Sequence, residues 1–141
     1  MNYSLLSPHD YKEDKYIFGN NNFIKGLLWH EIGHLTINDL TRTYFEKNNI
    51  VEKTISQNFL NHFYTNTEAI INEYIIRAIT IRLFEINNID FAEYLIKDSV
   101  NKGFKEIESI KDYISKSCEV NNKFLKNDKY DDLINYVYDR I

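Results

Sequence analysis

Cysteine, proline and glycine are nearly missing from this chain, and each shortage closes off a class of protein. Cys118 is the only cysteine, so no internal disulfide can form and zinc–thiolate clusters are excluded; a metal here must be held by nitrogen and oxygen. Pro8 is the only proline, and glycine stands only at positions 19, 26, 33 and 103. Beyond residue 34 little remains to punctuate a turn-rich sheet, so helix is favoured and the fold class expected is mainly α, with at most a short N-terminal strand. No apolar run approaches the roughly 18 to 20 residues of a membrane span. The start, Met1 to Pro8, is too short and polar for a secretory signal. The expectation is a soluble chain without membrane insertion, cytoplasmic by default and secreted only if it is cut from a longer precursor. The formal charge of -4 is spread without a basic stripe, which argues against nucleic acid as a partner. A length of 141 residues suits one domain over 1–141.

What is present is His30-Glu31-Ile32-Gly33-His34. Two histidines four apart on a helix project from one face and can grip a single zinc ion. In hydrolytic zinc sites the metal acidifies a water and a nearby carboxylate takes the proton, which is the place of Glu31. Phe23, Leu27, His30 and His34 follow one another at helical spacing, so the imidazoles share an apolar stripe. An unpaired buried polar group costs on the order of 1 to 3 kcal/mol, and a metal would satisfy both rings. Two of the chain's four histidines are spent here.

Such a site usually takes three protein ligands and keeps a position for water. Glu73 is the best third ligand. It stands among Ala69, Ile70, Ile76 and Ala78, and carboxylates are almost never buried in such company without a cation or donor beside them. A buried salt bridge to Arg77, four residues on, explains the same pattern, and both can hold together. Glu68 ranks second, because a Thr65-to-Glu68 capping box already accounts for it. His62 falls on a different predicted helix and His9 near the terminus, so neither is favoured. A third histidine in the long zinc motif would require residues that Ile37 and Leu40 replace.

Along the chain, Lys15 to Phe18 reads as a short strand, followed by a turn over Gly19 to Asn22 and an Asn cap. Such a strand could pair with extended substrate backbone. The motif helix is predicted over about 22–36, then helices over about 38–48 and 51–63, broken at Lys47 to Asn49. The strongest helix spans about 65–85 and is apolar over most of its circumference, so it should run through the core. Helices near 90–102 and 104–118, a polar loop over 121–128 and a short helix from about 129 complete a helical C-terminal part.

The pairing of His30-Glu31-Ile32-Gly33-His34 with a helix supplying Glu73 resembles the gluzincin class of zinc metallopeptidases, and Asn72-Glu73 is similar to the Asn-Glu pair of its thermolysin-like members. Those members carry an aspartate four residues after the glutamate, where this chain has Arg77. Over roughly residues 15–85, the motif, Asn38, Leu40 and Asn72 to Ala78 are similar to an uncharacterised bacterial family of zincins described only as a domain of unknown function. The resemblance implies a zincin-like helical domain, Zn2+ as cofactor and a peptide or protein substrate. Family members are generally longer before the motif helix, so a trimmed domain lacking a lobe is expected.

The leading expectation is therefore a zinc metallopeptidase in which His30, His34 and Glu73 bind the metal and Glu31 is the general base. A donor to the carbonyl oxygen is sought among Arg77, Tyr74, Tyr64 and His62, Arg77 ranking first unless it holds Glu73 instead. The alternatives are a non-catalytic zincin-like binding module acting through its aromatic-rich surface, and a metal-free helical interaction domain with an accidental motif.

Overall fold

The computed structural model describes residues 10–17, 21–87, 89–119 and 127–141. Two strands, β1 (Asp10–Lys12) and β2 (Lys15–Ile17), precede six helices among these residues: α1 (Asn21–Asn48), α2 (Gln57–Asn61), α3 (Thr67–Asn87), α4 (Ile89–Asn101), α5 (Ile107–Glu119) and α6 (Asn127–Tyr138). The fold is mainly α, as composition and spacing imply. Among the described residues no helix is long and apolar enough to cross a membrane.

α3 is the axis. Ile70, Ile71, Tyr74, Ile75, Ile76, Ala78, Ile81 and Phe84 are each at most 2% exposed, and α1, α4, α5 and α6 all pack on it. A helix apolar on every side can be stable only when enclosed. Its start lies one residue past the expected cap: Asn66 Oδ1, not Thr65, accepts the Ala69 N–H at 2.7 Å. The Thr67 N–H is taken by Glu52 Oε2 at 2.7 Å, so the orphan donors of the first turn are met partly from outside the helix.

α1 is one helix of 28 residues, where the sequence suggested two with a join near residue 37. Ile37, Thr41 and Tyr44 are buried, and Tyr130 of α6 bonds Thr41 through its hydroxyl at 2.8 Å. Packing thus carries the helix past Asn38 and Asp39, which are poor interior formers. It stops at Asn49, in the left-handed conformation with φ 50°, at the expected break.

The helix expected over 51–63 shrinks to α2, because its first half is captured by other partners. The Lys53 N–H bonds Thr67 Oγ1 at 2.8 Å, and the Lys53 ammonium bonds the carbonyl oxygens of Tyr138 and Ile141. Lys15 to Ile17 is extended as expected, but it pairs antiparallel with β1, Lys12 opposite Lys15. Glu13 and Asp14 turn the hairpin with φ 50° and 58°, a type I′ geometry reached without the usual glycine. Phe18, Gly19 and Asn20 of the expected turn and most of the 121–128 loop lie outside the described residues; Asn21 and Asn22 already belong to α1, and Asn127 and Asp128 to α6.

Two glycines set how closely α1 lies on α3. A Cβ at Gly33 would stand 3.1 Å from Ile76 Cγ2, and one at Gly26 would stand 3.2 Å from Phe84 Cε2. Seven residues apart on α1, they match Ile76 and Phe84 in reverse order on α3, so the two helices run antiparallel in close contact. His30 lies between the glycines and is thereby brought over α3.

Candidate metal centre

His30 and His34 from α1 and Glu73 from α3 converge, each offering one donor atom within 4.8 Å of the others. His30 Nε2 lies 3.3 Å from His34 Nε2 and 3.4 Å from Glu73 Oε1. His34 Nε2 lies 3.7 Å from Glu73 Oε2. Ligands at 2.0 to 2.2 Å around a tetrahedral zinc stand about 3.3 to 3.6 Å apart; the His30–His34 and His30–Glu73 Oε1 separations fall in that range, and His34 lies just beyond it, nearest the other carboxylate oxygen. The chemistry of the donors suits zinc as well. Asn38 Oδ1 lies 3.2 Å from His34 Nδ1; when that nitrogen carries the proton and donates, Nε2 presents a bare lone pair toward Glu73 and His30.

Glu73 is 4% exposed. Burial pushes its carboxyl up, but the hydrogen bond and charge of His30, then the charges of Arg77 and His34, outweigh burial and hold it at about 2. Arg77 is the fixed partner: its Nε donates to Glu73 Oε1 at 2.7 Å. The same guanidinium reaches Ser99 Oγ at 3.4 Å and Asp98 Oδ2 at 3.5 Å, and lies over the Phe104 ring. The salt bridge and the cluster around Glu73 coexist. With its charge committed on several sides, Arg77 serves to hold Glu73.

Glu31 lines the cavity beside these residues, and its carboxylate makes no hydrogen bond or ion pair among the described residues. Tyr64 lines it too. Burial and the Glu73 charge push its phenol up to about 12, which keeps the hydroxyl protonated and able to donate. Tyr74 departs from expectation. It is 2% exposed, its ring packs on Phe59 and Phe104, and its hydroxyl faces the backbone of Glu106 and Lys105. One residue past Glu73 is a turn of about 100° around the helix, which sends Tyr74 into the core. His62 is exposed and bonded to the Asn58 carbonyl. Glu68 pairs with Arg42 at 3.7 Å in a second cavity behind His34. His9 lies outside the described residues.

Phe23, Leu27, His30 and His34 form a continuous stripe, but it faces the cavity and not the core. The sequence reasoning missed the opposite wall, supplied by α4, and the part played by Asn38. Spacing could have found Asn38, since it stands four residues after His34 on the same helical face.

A sequence model of a domain of unknown function (DUF4932) matches residues 3–139, and the chain belongs to that family. No curated protein and no solved structure matches it.

Proposed function

Starting from that membership, we propose that the chain is a zinc-dependent metallopeptidase, with His30, His34 and Glu73 as the metal-holding residues. The observation that carries the reading is the meeting of the two Nε2 atoms with a buried carboxylate at zinc-like spacing, beside a cavity that also presents Glu31. Zinc bound there would acidify a water and polarise a substrate carbonyl. The chain's own residues supply the rest. Glu31, one residue past His30 and without a hydrogen bond or ion pair among the described residues, takes a proton from the attacking water and returns it to the leaving amine. Tyr64, held protonated by its surroundings, donates to the carbonyl oxygen as charge grows on it. Arg77 and Asn38 fix Glu73 and His34, so that both present their donors without reorganisation.

The test begins with metal content. Elemental analysis after dialysis against a weak chelator should find one zinc per chain, loosened by Glu73→Ala. Glu31→Gln should keep the zinc and lose peptide hydrolysis; hydrolysis that survives this change would overturn the mechanism. The rival reading, a binding module on the same fold, draws on Leu28, Ile32 and Leu35, exposed in a row along α1. It requires an unaltered protein without turnover, with the metal kept for structure or lost.

A further inference from the structure

The cavity at the candidate metal centre, about 450 Å³ in volume, extends over α3 between α1 and α4. α3 is antiparallel to both neighbours: Gly33 and Gly26 meet Ile76 and Phe84, while Arg77 reaches Ser99 and Phe84 packs on Phe91. The lining residues therefore sort by their height along the helices. Every charged one lies at the metal end: Glu31, Glu73, Arg77, Asp98 and Lys102. Asp98 and Lys102 are paired with each other at 2.8 Å. Thr80 stands at the join between the two ends; beyond it, from Ile81, the lining side chains are apolar or aromatic: Phe23 and Leu27 from α1, Ile81 from α3, Phe91, Tyr94 and Leu95 from α4.

A cleft of this volume exceeds what a water and a scissile amide need. The rings of Phe84 and Phe91 fill the space left by the missing side chain of Gly26, which walls off the apolar end against α1. A charged side chain entering it would shed water without finding an opposite charge, at a cost that an apolar side chain does not bear. We propose that this end is a specificity site for a large apolar or aromatic side chain, borne by the residue adjoining the bond held at the metal centre. The substrate class, resting on the metallopeptidase reading above, is peptides with a residue such as Phe, Leu or Met next to the cleaved bond.

The experiment has two arms on the full chain. Zinc-loaded protein digests a peptide library randomised on both sides of the bond, and the products are sequenced. The expected result is a preference of about tenfold or more for Phe, Leu, Met or Tyr over Asp or Lys at one flanking position, erased by Leu27→Glu. Cleavage indifferent to the flanking residues would overturn the inference and leave the peptidase reading standing. In the second arm, metal-free protein is titrated with N-acetylphenylalaninamide and with its aspartate counterpart, and backbone amides are followed by NMR. Shifts at Leu27, Ile81 and Leu95 with the aromatic probe alone support the site even if no peptide is cut, in which case the peptidase reading fails by itself. Equal shifts with both probes, or none with either, would overturn the site.

Discussion

Arg77 Nε donates to Glu73 Oε1 at 2.7 Å across one turn of α3, and the same carboxylate oxygen stands 3.4 Å from His30 Nε2 on α1. The arginine thus sets where a buried carboxylate points while another helix supplies the imidazoles. Removing a group that orients a metal ligand typically costs 10- to 100-fold in affinity. Arg77→Met, close in length and apolar, should weaken zinc binding by about that factor in competition with a chromophoric chelator. Unchanged affinity would mean that Arg77 only ties α3 to Asp98 and Ser99 of α4.

The acid limb of stability should report on Glu73. Its carboxyl sits at about 2 in the folded chain against an ordinary 4.5, so between those values the unfolded chain binds the extra proton. The stabilisation is complete above about pH 4.5 and is lost as the pH falls toward 2. Glu73→Gln does not titrate there. In metal-free protein, the gap in unfolding free energy between wild type and Glu73→Gln should close between about pH 5 and pH 2, measured by urea melts. A gap that stays constant over this range would mean that folding leaves the Glu73 carboxyl at its ordinary value.

Gly33 couples helix packing to the site. A Cβ there would already stand 3.1 Å from Ile76 Cγ2, and Ile76 is 1% exposed, with no room to retreat. Gly33→Val should destabilise the fold by about 1 to 3 kcal/mol through overpacking. Because Gly33 lies between His30 and His34, the change should also loosen zinc, read by the same chelator competition. A variant with lowered melting temperature and unaltered zinc affinity would show that the ligand geometry survives a wider spacing of α1 and α3.

The meeting of His30, His34 and Glu73 was legible because each of the three broke a local rule. Two imidazoles on a half-apolar stripe and a carboxylate among Ile70, Ile71, Ile75 and Ile76 all need partners, and spacing alone put the histidines together. The face taken by Tyr74 was not legible. On a helix buried on nearly every side, apolar periodicity does not say which direction is the cleft, so Tyr74 looked as suitable as Tyr64. The cavity wall from α4 depends on how α3 and α4 cross, a relation between residues such as Ile81 and Leu95 that no local pattern encodes. The unbroken α1 and the shortened α2 share one cause. Tertiary partners, Tyr130 for the first and Thr67 and Tyr138 for the second, overrode the local preferences of Asn38 and of residues 51–56.

Phe63 occupies a position that glycine usually fills, beside the cavity residue Tyr64. The Phe63 N–H bonds the Leu60 carbonyl at 3.0 Å and the Tyr64 N–H bonds the Phe59 carbonyl at 3.0 Å, the paired bonds of a Schellman ending for α2. Phe63 is the left-handed residue of that ending, with φ 66°, and its ring is 91% exposed. A side chain in this conformation costs roughly 1 to 2 kcal/mol, and so exposed a ring recovers little of it by packing. Phe63→Gly removes the strain but gives the unfolded chain more freedom to lose, which takes back part of the gain. The net expectation is a stabilisation of about 0.5 to 1 kcal/mol, a rise of a few degrees in melting temperature by calorimetry. Zinc affinity should be unaltered, since Phe63 touches none of the three donors. A fall in melting temperature would show that the phenyl ring has packing partners worth more than the strain it imposes.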